Sequence, residues 1–389
     1  MAALTWGRLV KRKMAADSAS ASASASAPVL FSLLARSRRC HATVGTSKED
    51  EDTHAHSTSP SILGPDLPDI WSSLPTSPPR PIPIPIPIPI PMPPAPPTII
   101  DGKSIAQEIR SHISKHVINL KNSYDKVPGL AVILVGHRRD SQSYVRYKIK
   151  ACNEVGITSF LAQLPHSCSE DEVIDSVTRF NEDPSVHGIL VQLPLPQHMD
   201  EERILGAVSL HKDVDGFHPL NVGNLALRGR QPLFIPCAAK ACLQLLLRHQ
   251  IDLVGKHAVV IGRSKVVGLP TSLLLQRHYS TVSIVHAFTH RPEEITREAD
   301  IVISAAGVAN LVRGSWLKRG VVVIDVGTNP IEDPDSEHGY RLTGDVHFDE
   351  AVKVASAITP VPGGVGPVTI AMLLSNTLDA AKEACRSSV

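Results

Sequence analysis

Apolar residues settle into a regular pattern only from Ile99 onward. Ile105, Ile109, Ile113, Val117 and Leu120 recur at helical spacing and predict an amphipathic helix. The segment from Gly129 to Gly136 is apolar between its two glycines, the pattern of a buried strand. Asp140 to Glu154 is helical again, and Ser159 to Leu164 reads as a strand. Ser169-Glu170-Asp171-Glu172 is a capping box that opens a helix through Phe180, and Gly188 to Leu193 is the next strand. Strands separated by single helices predict a parallel sheet of βαβ units. A second alternating series follows Pro236: helix Ala238–Arg248, strand His257–Ile261, a glycine loop, helix Leu269–Arg277, then strands Thr281–His286, Asp300–Ser304 and Val321–Val326. That is the spacing of a dinucleotide-binding sheet, so the fold class is α/β, with two α/β domains in tandem. Near the end, Pro360 to Pro367 carries Gly363, Gly364 and Gly366 among its prolines. Proline lacks a donor and glycine marks close backbone approach, so this run is expected as a stiff loop opening onto a helix from Thr369 to Lys382. Amides at such a helix start face a ligand.

Before Ile99 the pattern is missing. Residues 1–46 are rich in Arg, Ser and Ala and carry seven basic residues against the single acid Asp17, the composition of an organelle transit peptide. An Ile-Pro repeat fills most of Pro81 to Pro97 and suits a polyproline II spacer. No packed structure is expected before about Thr98, and 1–97 is read as transit peptide plus disordered tail. Formal net charge is +1, with +6 in 1–46 and −5 in the rest, so the body offers no electrostatic reason for a nucleic-acid partner. No run of 18 apolar residues is present to span a bilayer. The six cysteines form no C-x-x-C pair, which favours reduced thiols, and the eighteen histidines form no metal-ligand motif, so no metal site is expected.

Gly262-Arg263-Ser264-Lys265-Val266-Val267-Gly268 follows a strand and enters a helix, the setting of a pyrophosphate cradle. The next strand ends in His286-Ala287-Phe288-Thr289, with no acid to accept from a ribose 2′-hydroxyl until Glu293. Arg263 is then placed for a 2′-phosphate, which favours NADP over NAD. Tyr144 and Lys148 stand four apart on one helix face, and Gln192 ends a parallel strand where ligands collect. Lys212-Asp213-Val214-Asp215-Gly216 is a turn with two acids. Taken singly, these are more often a surface lysine, a loop amide and a solvated turn.

In order, S-Y-V-x-x-K-x-K-A, G-I-L-V-Q-L-P-L-P, K-D-V-D-G-F-H-P-x-N-x-G, G-R-S-K-V-V-G, D-I-V-I-S-A-A-G and T-P-V-P-G-G-V-G-P-V-T run from about Ile99 to Lys382. The chain resembles the bifunctional methylenetetrahydrofolate dehydrogenase/methenyltetrahydrofolate cyclohydrolase family over that whole stretch. The resemblance implies a catalytic folate-binding domain over 98–238 completed by 361–385, and a Rossmann-type NAD(P)-binding domain over 239–360, with the C-terminal helix returning to the first domain. It implies NADP-dependent oxidation of 5,10-methylenetetrahydrofolate, then hydrolysis to 10-formyltetrahydrofolate. Lys148 matches the family's base or proton carrier, Gln192 holds its amine, and Tyr144 stacks on or hydrogen-bonds the folate. Asp215 matches the pterin-binding acid, with Gly363, Gly364, Pro367 and Thr369 bordering the folate. Gly262, Arg263, Ser264, Gly268, Ala306, Gly307 and Thr328 are implied for the cofactor. A homodimer in a mitochondrion, or alternatively a plastid, completes the expectation.

Two stretches depart from the family pattern. Pro236-Cys237-Ala238-Ala239-Lys240-Ala241 stands where P-C-T-P-x-G is usual, and Ala287-Phe288 stands where some members carry Ser and Lys. An enzyme keeping only the cyclohydrolase step, or a non-catalytic dinucleotide- or folate-binding module, are the alternatives these departures leave open.

Overall fold

The computed structural model describes residues 62–64, 96–334 and 339–387. The transit segment 1–46 and the Ile-Pro repeat up to residue 95 lie outside the described residues.

In chain order, β1 (Thr98–Ile99) leads into α1 (Gly102–Tyr124), β2 (Gly129–Val135), α2 (Arg139–Val155), β3 (Thr158–Leu164), α3 (Glu170–Glu182) and β4 (Gly188–Val191). Two short helices, α4 (Glu201–Gly206) and α5 (Pro219–Ala226), precede α6 (Cys237–Arg248). Then come β5 (His257–Ile261), α7 (Gly268–Arg277), β6 (Thr281–Val285), α8 (Pro292–Arg297), β7 (Ile301–Ser304) and β8 (Val322–Asp325). A hairpin of β9 (Asn329–Glu332) and β10 (Tyr340–Thr343) is followed by α9 (Phe348–Ala351), β11 (Ala357–Ile358) and α10 (Val365–Arg386).

The alternating pattern resolves into two parallel sheets. The first has strand order β3-β2-β4, and the second β1-β11-β8-β7-β5-β6. β2 and β4 are buried along their whole length, as an apolar run covered by helices requires. The stripe on α1 is buried at Ile105, Ile109, Ile113, Val117 and Leu120, and Asp101 caps its start by accepting from the Lys103 and Ser104 amides. The capping box at Ser169 forms as read, with Ser169 and Glu172 each accepting from the other's backbone amide. The five described cysteines, 152, 168, 237, 242 and 385, are buried free thiols.

Three features differ from the sequence pattern. First, the C-terminal helix begins at Val365, inside the expected Pro360–Pro367 loop. Pro367 is its third residue, where the amide has no partner within the helix, so proline is tolerated there. The helix packs on α1 and α6, returning to the first sheet's side as expected. Second, β1 pairs with β11 and joins the second sheet although α1, which follows it directly, serves the first. Third, the expectation of nothing packed before about Thr98 gives way at Ile62–Gly64. Ile62 and Leu63 pack on the core, and their carbonyls accept from the His278 ring at 3.0 Å and the Arg277 guanidinium at 3.4 Å. Arg277 also donates to the carbonyls of Asn224, Leu225, Leu227 and Arg230, so one side chain ties the segment to the loop after α5. A Cβ on Gly64 would stand 2.4 Å from the Arg277 carbonyl oxygen, so the approach demands glycine.

Candidate active site

α2 supplies the first two groups. The four-residue spacing puts Tyr144 one turn before Lys148, and the Lys148 Nζ lies 4.9 Å from the Tyr144 ring centre. Lys148 is only 7 % exposed and has no carboxylate in salt-bridge contact among the described residues. Burial pushes its pKa down, and the nearby Asp215 charge pushes back more weakly. Its hydrogen-bond partner is Gln192, whose Oε1 accepts from Nζ at 3.0 Å. Gln192 sits one residue past β4, and its backbone amide still reaches Ile133 in β2 at 2.9 Å. Its side-chain nitrogen donates to the Leu193 carbonyl at 2.7 Å, which turns the oxygen toward the lysine. An amide oxygen accepts from ammonium and amine alike, so it holds the nitrogen without fixing the charge, as a carboxylate would.

The two acids of the Asp213–Asp215 turn part company. Asp213 is buried and accepts from the Phe217 and His218 amides and the Asn221 side chain, which makes it the brace of the turn. Asp215 is pushed up to about 6 by burial, with Lys148 offsetting part of that shift. Tyr144 is raised by burial and by the same Asp215 charge, so Tyr144, Lys148 and Asp215 share one electrostatic environment. The turn is pinned by backbone approach: the Cys237 amide donates to the Asp215 carbonyl at 3.3 Å, and a Cβ on Gly216 (φ +78°) would meet the Pro236 nitrogen at 2.6 Å. Asn376 of α10 donates to the Val214 and Ile235 carbonyls on either side of this contact and accepts from Lys240 at 2.7 Å. Nothing in the spacing of the sequence singled out Asn376 or Cys237, because their partners are far away in the chain.

The glycine loop after β5 is built for backbone contact. Gly262 has φ +117°, and a Cβ on it would stand 2.2 Å from the Ala305 carbonyl oxygen. A Cβ on Gly268 would stand 2.1 Å from the Gly262 oxygen. The loop therefore closes on itself and presents the start of α7, which suits a phosphate. Ser264 accepts from the Val267 amide at 3.2 Å, leaving its hydroxyl proton free for an anion. Arg263 is exposed, and no acid follows β6 before Glu293. These residues fit a dinucleotide carrying a 2′-phosphate. Beyond β7, the Ala306 and Gly307 amides donate to Asp345, and Thr328 immediately precedes Asn329, whose side chain reaches the same carboxylate.

A chain of contacts connects the lobes. The Leu195 amide donates to Glu201, and the neighbouring Glu202 pairs with Lys265 of the glycine loop at 3.1 Å. The loop leaving Gln192 thus reaches the cofactor loop. Gly363 (φ +116°) and Gly364 border α1, where a Cβ on Gly102 would be 1.8 Å from the Gly364 oxygen. Pro367 and Thr369 lie in the first turns of α10, and the Thr369 hydroxyl donates to the Val365 carbonyl at 3.1 Å.

The departures from P-C-T-P-x-G are absorbed by packing. Ala239 and Ala241 are fully buried in the core that α6 shares with α10, and α6 starts at Cys237 with no side-chain cap. Ala287 is exposed, and Phe288 is 69 % exposed at the end of β6.

Comparison with known proteins agrees across this region. The family model "Tetrahydrofolate dehydrogenase/cyclohydrolase, catalytic domain" matches residues 100–215, and the NAD(P)-binding domain model of the same family matches 236–385. The chain is 60 % identical over 334 residues to Bifunctional protein FolD 1, mitochondrial, of Arabidopsis thaliana, covering 85 % of this chain and 93 % of that one. It is 65 % identical over 284 residues to the chloroplastic FolD 4 of the same plant, covering 73 % and 79 %. Among solved structures, the Trypanosoma brucei methylenetetrahydrofolate dehydrogenase-cyclohydrolase complexed with NADP and an inhibitor matches with TM-score 0.74 at 45 % identity, over 75 % of this chain and 99 % of that chain.

Proposed function

The chain belongs to the tetrahydrofolate dehydrogenase/cyclohydrolase family, and from this we infer that it oxidises 5,10-methylenetetrahydrofolate with NADP and hydrolyses the methenyl product to 10-formyltetrahydrofolate. The observation that carries the residue assignment is the Lys148–Gln192 hydrogen bond on a buried, lowered lysine beside Asp215.

NADP, when bound, supplies the acceptor for the hydride leaving the methylene carbon. Gly262, Ser264 and Gly268 would hold its pyrophosphate and Arg263 its 2′-phosphate, with Ala306, Gly307 and Thr328 toward the nicotinamide. The oxidised folate is a cation spread over two nitrogens, so this step asks mainly for orientation. Asp215 accepts two parallel hydrogen bonds from the amino-pyrimidinone edge of the pterin, and Tyr144 stacks on or hydrogen-bonds the folate. Gly363 and Gly364 border it from the loop before α10, and Pro367 and Thr369 from the first turns of that helix.

Hydrolysis asks for a proton carrier. Water adds to the methenyl carbon and loses one proton to give a neutral carbinolamine. Its hydroxyl proton then leaves as the carbonyl forms, one carbon–nitrogen bond breaks, and the departing nitrogen takes up a proton, leaving the formyl group on the other nitrogen. Lys148, already lowered by burial, is lowered further by a cationic folate beside it, which brings a lysine into the range of a usable base. Gln192 keeps the amine aimed through either charge state.

A coupled assay tests the reading. Methylenetetrahydrofolate and NADP should give NADPH absorbance, and methenyltetrahydrofolate should lose its own band. Hydrolysis without any hydride transfer would favour the enzyme that keeps only the second step. Absence of both would remove the reading altogether.

Arg263→Ala is expected to shrink the advantage of NADP over NAD by roughly tenfold to a hundredfold, the worth of one to two charge-assisted hydrogen bonds. An unchanged ratio of kcat/KM for the two cofactors would unseat the 2′-phosphate assignment.

A homodimer is supported by the β9–β10 hairpin, which has no third strand among the described residues. Import into a mitochondrion, with a plastid as the alternative, is supported by the basic, acid-poor residues 1–46. Sedimentation of the purified chain, and the destination of a fusion to residues 1–97, check these two points. A monomer or a cytosolic fusion would refute them.

A further inference from the structure

A pair of buried carboxylates at the ends of the second sheet plays no part in the reading above. Asp345 is 0 % exposed and follows β10. Its Oδ2 accepts from the Ala306 amide at 2.7 Å, the Gly307 amide at 3.1 Å and the Ser304 hydroxyl at 3.4 Å. Its Oδ1 accepts from the Val308 amide and the Asn329 side chain, both at 2.9 Å. Three successive amides of the turn after β7 therefore converge on one side chain, together with the residue after Thr328.

Asp325, at the end of β8, holds Asp345 in turn. It accepts from the amides of Asp345 and Gly327 at 3.0 Å and of Val346 at 2.8 Å. Glycine is obligatory at both flanks. A Cβ on Gly327 would lie 2.2 Å from the Asp345 Oδ1, and one on Gly344 would lie 1.8 Å from the Asp325 Oδ2. A buried carboxylate met only by neutral donors gives up its hydration, and a bare structural turn has no need of one. The position supplies a purpose. The braced turn adjoins Ala305, whose carbonyl presses on Gly262 of the glycine loop. A dinucleotide lying across the carboxyl ends of such a sheet has its adenosine half on the β6 side and its nicotinamide half over β7 and β8.

We propose that Asp345 is a positioning residue for hydride transfer, setting the Ala306–Val308 turn and Asn329 as the bed on which the nicotinamide half of the cofactor is oriented. This rests on the dehydrogenase reading. It assigns no part in water addition, because Lys148, Gln192 and Asp215 stand on the other lobe and on the turn before α6.

The test uses the full chain with Asp345→Asn, which keeps the shape but replaces one acceptor oxygen by a donor that faces amide or hydroxyl donors. Two rates are measured: hydride transfer over a range of NADP, and methenyl hydrolysis with NADP left out. The expected result is a loss of about tenfold or more in kcat/KM for NADP with hydrolysis within about twofold of wild type. Asn329→Ala removes one donor and should show the same selectivity at several-fold size, and it decides the matter if Asp345→Asn does not fold. Parallel loss of both rates together with a fall in Tm would reduce Asp345 to a fold element and overturn the proposal, as would no change in either rate. Should the wild-type chain itself transfer no hydride, the dehydrogenase reading fails first, and that outcome is separate from either of these.

Discussion

Lys148→Met is expected to leave methenyl hydrolysis at least about 100-fold below wild type, the scale of a lost general base, while folate affinity stays within several-fold. The substitution is chosen for shape. Methionine is unbranched like the lysine stem and fills a site that is already apolar enough to depress the ammonium. It removes only the nitrogen that meets Gln192 and the Tyr144 face. Gln192 is half-buried, so its oxygen, freed of the lysine, still finds water and no large desolvation cost follows. Asp215 loses the neighbouring charge that holds its pKa down and moves further up from about 6, which weakens it as an acceptor for the pterin and is the reason folate affinity is expected to fall by several-fold. Steady-state hydrolysis of methenyltetrahydrofolate, followed by its absorbance and set against folate binding by fluorescence, reads both quantities. Hydrolysis at the wild-type rate would take the lysine out of its role, whatever the geometry around it.

Much of the geometry of this candidate site is legible in the sequence, for identifiable reasons. Tyr144 and Lys148 are four apart on a helix, so periodicity alone places them together. Gln192 follows an apolar run between glycine and proline, which marks the carboxyl end of a buried parallel strand. The Asp213–Asp215 turn shows where local reading stops. Two identical side chains two residues apart differ only in what surrounds them, and a brace with three donors cannot be told from a binding carboxylate by spacing. Asp325, Asp345 and Asn376 were missed for the same reason. Each works through partners distant in sequence; the two acids leave only a nearby glycine as local trace, in Asp325-Val326-Gly327 and Gly344-Asp345, and Asn376 leaves none. β1 and β11 have two residues each, too few for an alternation to register. The docking of Ile62–Gly64 is shorter than any period, inside a stretch whose composition argues against packing. The early start of α10 does not show in the sequence because proline generally breaks a helix, although at a third helical position it removes no bond.

Gly262→Ala should divide the two activities in the opposite sense to Lys148→Met. Two penalties coincide at this position. The backbone stands at φ +117°, outside the range that alanine adopts without strain, and the added methyl would lie 2.2 Å from the Ala305 oxygen and 2.7 Å from its carbon. Neither neighbour can step aside cheaply. The Ala305 amide donates to the Ile261 carbonyl at 2.7 Å, and the Gly262 amide donates to Val285 at 2.8 Å, so both belong to the ends of three adjoining strands. The loop itself must move, and with it the start of α7, whose Gly268 packs against the Gly262 carbonyl. Strain of about 1–3 kcal/mol and a misplaced phosphate cradle follow, and a fall of roughly 100-fold in kcat/KM for NADP is the expected scale when orientation is lost by about an ångström. Methenyl hydrolysis assayed without cofactor should persist, because Lys148, Gln192 and Asp215 are held by the first sheet, α2 and the contact of the Asp215 turn with Cys237. A variant that reduces NADP as well as the wild type does would mean that the Gly262–Gly268 loop does not carry the pyrophosphate. One that loses hydrolysis to the same degree would mean that the two lobes do not divide the chemistry as their hydrogen bonds suggest.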